Sequence, residues 1–349
     1  MILVTGGAGY IGSHTVRQLV DAGEKVVVLD NLCSGFRWAV PQGVELVVGD
    51  CGDTRLVRSV LEKYQVRSVI HFAAHLFVDE SVEKPLKYYL NNTVGTTRLI
   101  ETCGTYGVDH FIFSSTCAAY GLPRSNPVTE LEITDPISPY GRSKLASEWV
   151  LRDLAHAKTF NMRSVILRYF NVAGARTDLG LGQGTVGARQ LIKVAAETAL
   201  GYHKSLKVFG TDYPTPDGTC IRDYIHVGDL ADAHVLGLEY LRQGGDSDVF
   251  NCGYGTGTSV KEIVTIMKKV TGVDFPVEYA DRRPGDATAI FADNRKIVAK
   301  LGWKPRFNDL ELICKSTVDF EQILVAKRRQ ASVPTEQLEQ ARGSGAECR

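Results

Sequence analysis

Short apolar runs alternate with amphipathic stretches through the first half of the chain. The runs are rich in Val, Ile or Phe and apolar on both faces, a pattern typical of buried parallel strands. They cover residues 1–5, 25–30, 44–50, 68–72, 110–115 and 164–170. Between them, helical periodicity covers residues 12–22, 54–63, 85–106 and 139–158. This alternation predicts an α/β fold built on a doubly wound parallel sheet of the Rossmann type.

The pattern changes after Asn171. Glycine-rich loops, including residues 180–184, precede a helix predicted over 188–200, and a second helix is predicted over 227–241. We therefore expect a smaller α/β domain that is interleaved with the first and binds the substrate. Its predicted segments are residues 172–222 and 252–325, while the first domain takes residues 1–171, to which 223–251 return. Residues 326–349 form a polar tail without apolar periodicity, which predicts disorder.

Composition narrows the classes of partner. The 349 residues carry 40 Lys+Arg and 40 Asp+Glu, and this balance argues against nucleic acid as the main partner. No apolar run reaches the ~20 residues that cross a bilayer, so no membrane partner is expected. The cysteines and histidines lack metal-binding spacings, so no metal is expected. The first residues form a strand rather than a secretory signal, which predicts a cytoplasmic protein with reduced thiols.

A glycine-rich turn follows the first strand and opens the first helix. Gly7, Gly9 and Gly12 match G-x-G-x-x-G, and Gly6, Gly9 and Gly12 match G-x-x-G-x-x-G. Glycines there let backbone N–H groups approach a pyrophosphate at the helix N-terminus. Asp30 ends the second strand, where a carboxylate accepts hydrogen bonds from a ribose diol and repels a 2′-phosphate. The turn therefore predicts an NAD site.

The ends of the next two strands extend this predicted site. Asp50 ends the third strand within reach of an adenine amino group, although it also suits a strand-end turn or a helix cap. Phe72, Ala73 and Ala74 end the fourth strand, and small residues there leave room for a dinucleotide across the strand ends. Phe72 alone is more typical of a core residue.

A tyrosine and a lysine are spaced for catalysis on the helix predicted over 139–158. Ser138 suits its N-cap and Pro139 its first turn, which places Tyr140 and Lys144 one turn apart on one face. We expect the ammonium, together with a positively charged nicotinamide, to lower the pKa of the Tyr140 phenol towards that of a base. Thr116 follows the fifth strand and adds a hydroxyl near this pair.

These motifs together resemble the extended short-chain dehydrogenase/reductases, and within them the UDP-glucose 4-epimerase family. The resemblance runs from Met1 to about Asp319. It is carried by the glycine turn and by the motifs Ser114-Ser-Thr, Tyr140-x-x-x-Lys144, Arg168-Tyr-Phe-Asn171, 218–226 (Gly-Thr-Cys-Ile-Arg-Asp-Tyr-Ile-His) and Arg283-Pro-Gly-Asp286. Their order and spacing are more specific than any one motif.

The resemblance implies roles for individual residues. Thr116, Tyr140 and Lys144 would be catalytic. NAD would be held by Gly6, Gly9, Tyr10, Ile11, Gly12, Asp30, Asn31, Asp50, Cys51, Phe72, Ala73, Ala74, Asn91, Ser114, Tyr140, Lys144 and Tyr169. The UDP-sugar would be held by Thr116, Tyr140, Asn171, Gln190, Leu191, Lys207, Phe209, Arg222, Arg283, Asp286 and Ile290.

Chemistry independent of the resemblance agrees with the nucleotide contacts. Arg222 and Arg283 have the forked donors that suit a diphosphate, and the flat ring of Phe209 suits uracil. Surface ion pairs for the two arginines and core packing for Phe209 are the alternative interpretations.

Two positions depart from the family pattern. Leu76 replaces a lysine that many members carry, and Gln190 replaces the usual asparagine. Ile290 occupies the position of the family's sugar-pocket gate and is intermediate in size, which leaves acceptance of N-acetylated sugars open. The resemblance implies interconversion of UDP-glucose and UDP-galactose through a transient 4-keto sugar, and a homodimer. Alternatives are a UDP-GalNAc or UDP-pentose 4-epimerase, another NAD-dependent nucleotide-sugar oxidoreductase, or a non-catalytic NAD-binding protein.

Overall fold

A computed structural model of the chain describes residues 1–283 and 286–330. Its strands are β1 (Ile2–Thr5), β2 (Val26–Asp30), β3 (Glu45–Val48), β4 (Ser68–His71), β5 (His110–Thr116), β6 (Arg163–Tyr169), β7 (Asn171–Ala173), β8 (Leu206–Phe209), β9 (Ile221–Arg222), β10 (Tyr224–His226), β11 (Asp248–Cys252), β12 (Thr258–Ser259), β13 (Val277–Ala280) and β14 (Ala289–Ile290). Its α-helices are α1 (Tyr10–Asp21), α2 (Thr54–Tyr64), α3 (Val78–Glu83), α4 (Pro85–Tyr88), α5 (Thr96–Thr105), α6 (Pro139–Ala157), α7 (Leu191–Ala199), α8 (Val227–Arg242), α9 (Val260–Thr271), α10 (Arg295–Leu301) and α11 (Leu310–Gln330).

Seven strands form one sheet in the order β11-β6-β5-β4-β1-β2-β3, and every neighbouring pair in it is parallel. The chain builds the sheet outwards from β1 in one direction as far as β3, then returns beside β1 with β4 and continues the other way. The strand order therefore reverses between β1 and β4, where open α/β sheets bind their ligands at the carboxyl ends of the strands. The predicted doubly wound α/β fold is confirmed.

The sheet separates two apolar layers because successive side chains of a strand point to opposite faces. Ile2 and Val4 belong to the larger cluster, which also includes residues of α1 and α8. Leu3 belongs to the second cluster, which includes residues of α2 and α5. This two-sided burial explains why the strands read as continuous apolar runs rather than as alternating ones.

The remaining elements form a smaller assembly beside the sheet. Helices α7, α9 and α11 contact one another, and short strands pair in the orders β12-β9-β14 and β13-β8. The strand β11 returns to the large sheet beside β6. This return supports the predicted domain division, which itself stays a prediction.

The structure differs from the predicted elements at three places. The helix predicted over 85–106 is interrupted by a π-helical segment, Tyr89–Gly95, and the helix predicted from 188 begins at Leu191. The last helix continues to Gln330, five residues into the predicted tail, and residues 331–349 lie outside the described part of the chain.

The structure describes free thiols at Cys51, Cys103, Cys117, Cys220, Cys252 and Cys314. Among the described residues, no helix is long and apolar enough to cross a membrane.

Candidate active site

A cavity of about 590 Å³ lies at the carboxyl ends of the central strands. Its wall includes Gly6 after β1, Asp30 at the end of β2, Phe72 after β4, Thr116 at the end of β5 and Tyr169 at the end of β6. The cavity therefore spans the point where the strand order reverses. That position is the expected binding place for a dinucleotide on this fold.

The glycine turn is shaped for close backbone approach. Gly6 has φ 71°, and a Cβ on it would come within 2.6 Å of the Ala73 nitrogen. A Cβ on Gly12 would lie only 2.2 Å from the Gly6 carbonyl oxygen. The N-cap of α1 is Gly9, which provides no side-chain cap, so the first N–H groups of the helix are available to an anion from the cavity. This cradle fits a pyrophosphate.

Two acidic residues stand beside that cradle. Asp30 is buried, and its carboxylate accepts hydrogen bonds from the Ala8 nitrogen at 2.9 Å and the Leu32 nitrogen at 2.8 Å. Burial raises the pKa of Asp30, while these two backbone donors act in the opposite direction. Asp50 accepts a hydrogen bond from the Gly52 nitrogen at 2.6 Å and also lines the cavity. Both carboxyls can therefore face the polar groups of an adenosine.

The helix α6 carries Tyr140 and Lys144 into the cavity wall. Its N-cap is Ser138, whose hydroxyl accepts a hydrogen bond from the Gly141 nitrogen at 3.2 Å, and Pro139 begins the first turn. Both Tyr140 and Lys144 line the cavity, and both are buried. The Lys144 ammonium lies 4.6 Å from the centre of the Phe113 ring, a favourable cation–π distance.

The protonation of this pair differs from the sequence prediction. Burial raises the pKa of Tyr140 to about 12, although a hydrogen bond with Thr116 acts to lower it. Burial lowers the pKa of Lys144 to about 8, although the Glu148 carboxylate acts to raise it. The chain alone therefore does not lower the phenol pKa, and the lowering predicted together with a positively charged nicotinamide stays a prediction. The protein alone keeps Tyr140 protonated at neutral pH because desolvation outweighs its polar contacts.

Thr116 stands where the fifth strand meets the cavity. Its hydroxyl accepts a hydrogen bond from the Ala118 nitrogen at 3.1 Å and caps the short helical turn Cys117–Tyr120. The same hydroxyl contacts the Tyr140 phenol. Thr116, Tyr140 and Lys144 thus line the same cavity, and Thr116 contacts Tyr140.

Nearly all residues predicted to hold NAD line the same cavity. They are Gly6, Gly9, Tyr10, Ile11, Gly12, Asp30, Asn31, Asp50, Cys51, Phe72, Ala73, Ala74, Asn91, Tyr140, Lys144 and Tyr169. Ser114 is the exception, because it is buried behind the wall and hydrogen-bonds with Nε2 of His234 at 2.7 Å. The Tyr10 hydroxyl donates to the Gly174 carbonyl at 2.5 Å and so ties the glycine turn to the chain beyond β7.

Residues predicted to hold the UDP-sugar fall into two groups. Thr116, Tyr140, Asn171, Gln190 and Leu191 line the cavity. Those outside its wall are Lys207, Phe209, Arg222, Arg283, Asp286 and Ile290.

Within the second group, charged and aromatic side chains contact one another. The Arg283 guanidinium lies 3.9 Å from the centre of the Phe209 ring, and Arg222 lies 3.5 Å from the Asp286 carboxylate.

The second group adjoins the cavity at Cys117. Burial raises the pKa of Cys117 to about 12, and the charge of Arg222 acts to lower it, so the guanidinium influences this cavity residue. Ile290 belongs to an apolar cluster that includes Phe170, a wall residue, and that packs against Cys117. Ile290 therefore lies one layer behind the wall.

Several wall residues escaped the sequence analysis. Gln183 lies in the glycine-rich loop, Thr185, Val186 and Arg189 come from the segment that follows it, and Phe77 comes from the opposite side. The Arg189 guanidinium lies 5.0 Å from the centre of the Phe77 ring and pairs with Asp79. The glycines of residues 180–184 were the only signal in the sequence, and they predicted a loop without its position. Across residues 1–283 and 286–330, no cluster of His, Cys, Asp or Glu is arranged to hold a metal ion.

Comparisons with known proteins agree with this geometry. The model of the NAD dependent epimerase/dehydratase family matches residues 2–253. The curated UDP-glucose 4-epimerase of Azospirillum brasilense is 50% identical over 333 residues, which are 95% of this chain and 95% of that protein.

Two solved structures are similar over nearly the whole chain. The UDP-glucose 4-epimerase of Brucella ovis, in complex with NAD, has a TM-score of 0.87 and 45% identity, covering 91% of this chain and 97% of its own. The UDP-Glc/GlcNAc 4-epimerase of Campylobacter jejuni has a TM-score of 0.81 and 51% identity, covering 92% of this chain and 99% of its own.

Proposed function

The chain belongs to the NAD dependent epimerase/dehydratase family, and on that basis we propose that it interconverts UDP-glucose and UDP-galactose. The observation that carries the proposal is the meeting of Thr116, Tyr140 and Lys144 with the glycine cradle around one cavity. A dinucleotide and a hydroxyl-bearing substrate can react there side by side. The reaction inverts the configuration at C4 of the sugar.

The wall of the cavity fits tightly bound NAD, which supplies the chemistry of taking a hydride from C4 of the sugar and returning it. The N–H groups that follow Gly9 would hold the pyrophosphate, and Asp30 would accept hydrogen bonds from the adenosine ribose. Lys144 would hydrogen-bond the nicotinamide ribose from the opposite end of the cavity.

Tyr140 is proposed to move the proton of the sugar 4-hydroxyl. A phenol with a pKa of about 12 is a poor base at neutral pH, so an added positive charge beside it is needed. Lys144 is already present in the chain for which this pKa holds, so the oxidised nicotinamide ring would have to supply the added positive charge. Thr116 would hydrogen-bond the same sugar oxygen and hold it near Tyr140. Having lost this proton to Tyr140 and a hydride to the cofactor, the sugar would be a transient 4-keto species, and it would regain both when the alcohol re-forms.

We place the nucleotide part of the substrate at the second group of residues. Arg222 and Arg283 are proposed to neutralise the diphosphate, Asp286 to bind the ribose and Phe209 to stack on uracil. Arg283 already covers one face of the Phe209 ring, so uracil must use the other face or displace it. A clamp on the nucleotide leaves the sugar free to turn, and the 4-keto sugar can then present either face.

The wall near Thr116 argues against a sugar dehydratase. Such an enzyme needs an acid and a base directly after that threonine in order to eliminate water. Cys117 and Ala118 stand there instead, and burial keeps the Cys117 thiol neutral with a pKa of about 12. Elimination therefore has no catalyst at this place.

The test is incubation of the purified protein with UDP-galactose, UDP-GalNAc and UDP-xylose in separate reactions, without added NAD. We expect chromatography to show UDP-glucose from the first, and the other two reactions define how the site treats larger and smaller sugars. Absence of UDP-glucose, or formation of NADH in proportion to product, would overturn the proposal in favour of another nucleotide-sugar oxidoreductase.

We also propose a homodimer. Leu86, Leu90 and Val94 are four residues apart and exposed, at 73%, 62% and 39%, on the helical segments that precede α5. Trp149 of α6 is 53% exposed, and α6 contacts both of those segments. Burying such an apolar face against its copy is favourable. The cytoplasmic location and the domain boundaries stay predictions beside this one.

A further inference from the structure

The helix that carries Tyr140 and Lys144 also carries a buried carboxylate. Glu148 follows Lys144 by one helical turn, so Tyr140, Lys144 and Glu148 share one face of α6. The Glu148 side chain is entirely buried. A buried carboxylate is stable only when it is paired and hydrogen-bonded, so its partners must be fixed in place.

Those partners come from the two strands that end at the reaction centre. Arg168 of β6 donates from Nε to both Glu148 oxygens at 3.1 Å and from Nη2 to Oε2 at 2.5 Å. Ser115 of β5 donates its hydroxyl to the other side of the carboxylate. Arg168 and Ser115 are direct neighbours in the parallel ladder, so Glu148 joins α6 to both strands at one level.

The next residues of both strands are wall residues of the cavity. Thr116 follows Ser115, and Tyr169 follows Arg168. A shift of Glu148 would therefore move Tyr140 and Lys144 relative to Thr116, although Glu148 itself does not line the cavity.

Arg168 is itself held by contacts with other residues. Its guanidinium lies 4.8 Å from the centre of the Tyr120 ring, and the Tyr120 hydroxyl donates to the Asn251 side chain on β11 at 2.6 Å. Arg168 is thus fixed on both sides, which gives Glu148 a rigid partner. A preorganised support of this kind limits the movement of the groups it holds.

Glu148 affects Lys144 through its charge as well as through its position. The groups around the ammonium are Glu148 on its own helix, Cys51 after β3, His71 on β4 and the Phe113 ring on β5. Burial holds the pKa of His71 at about 3, so that ring is neutral, and burial raises the pKa of the Cys51 thiol to about 12. Among these neighbours, the Glu148 carboxylate has the largest effect in raising the Lys144 pKa.

We propose that Glu148, fixed by Arg168 and Ser115, is a positioning residue that holds the Tyr140–Lys144 pair against the strand ends and preserves the Lys144 ammonium. The inference rests on the proposed function. Lys144 is charged below its pKa of about 8 and neutral above it. Loss of the Glu148 charge removes the influence that raises this pKa, so the ammonium must then be lost at a lower pH.

The test compares the pH profile of kcat for UDP-galactose in the wild type, Glu148→Gln and Glu148→Asp. We expect Glu148→Gln to move the alkaline limb down by about one pH unit and to lower the maximal kcat by about tenfold. Glu148→Asp keeps the charge but draws it back, so it should lower kcat and move the limb by less than Glu148→Gln does. The control is Arg67→Gln/Asp109→Asn, which removes an exposed Arg–Asp pair at the opposite end of β5 and should change neither quantity.

The outcomes separate the two proposals. A wild type without epimerase activity contradicts the proposed function, whereas an active wild type with an unmoved limb in Glu148→Gln contradicts the positioning role. If Glu148→Gln does not fold because Arg168 is left unpaired, Glu148→Gln/Arg168→Gln replaces it. That double variant should still lower kcat and move the limb in the same direction, and an unchanged limb in it overturns the inference.

Discussion

At the scale of single residues, Tyr140 needs a charge that the described chain does not fully supply. Burial sets the pKa of its phenol at about 12, and the Thr116 hydrogen bond only partly opposes this effect. The same burial makes any added positive charge more effective, because charges interact more strongly where water is excluded. The side chain is therefore poised to respond to a bound cofactor.

Replacement of Tyr140 by Phe removes the proton carrier and leaves the apolar ring in place. We expect kcat to fall by ~10²–10⁴-fold, the usual contribution of a positioned acid or base. NAD retained by the purified protein, measured after denaturation, should stay near the wild-type amount because the glycine cradle is unchanged. A variant with near-normal turnover would remove Tyr140 from the mechanism.

Individual residues were predictable where a local rule fixed them. Ser138, Pro139, Tyr140 and Lys144 follow from helix capping and helix spacing alone. The pKa of Tyr140 was not predictable in the same way, since it depends on burial by residues distant in the sequence. The place of Ser114 outside the cavity wall was not predictable for a related reason, because its position in a strand end does not reveal which face of the sheet its hydroxyl meets.

At the scale of elements, the helical segment after β4 is the least regular part of the sheet domain. The sequence predicts one helix, whereas Tyr89–Gly95 forms wider π-helical turns. Asn92 lies inside these turns, where its amide donates to the His75 carbonyl at 2.9 Å and to Ser143 at 3.1 Å. The periodicity of the sequence could not reveal the π-helical turns, because the hydrogen bonds of Asn92 are made with residues outside this segment. π-Helical turns are frequent at functional sites, and Asn91, which is next to Asn92, lines the cavity.

The exposed apolar face of this helical segment can be tested as the proposed homodimer contact. Leu86→Glu/Leu90→Glu places two charges in the proposed apolar contact, and burying them against a copy is costly. We expect sedimentation to give a dimer for the wild type and a monomer for the variant. The control is Leu131→Glu, which changes a leucine that is 94% exposed in a loop away from these helices. A wild type that sediments as a monomer, or a dimer that persists in the variant, contradicts the proposed face.

At the scale of the whole molecule, the order of strands and helices predicted the topology because parallel connections follow few rules. The lining of the cavity could not be predicted from the sequence, because Arg189 and Phe77 approach each other from segments more than a hundred residues apart. The balanced net charge excluded an extended polyanion but concealed a local basic site. Arg222 and Arg283 lie in that site, next to Asp286 and Phe209.

In the proposed reaction, hydrogen leaves C4 of the sugar and returns to the same carbon within one site. The most direct measurement uses UDP-galactose carrying deuterium at C4, with mass spectrometry and NMR of the UDP-glucose formed. We predict that deuterium stays at C4 of the product and that no NADH accumulates in solution. Replacement of the deuterium by solvent hydrogen, or its release in free NADH, would contradict the account.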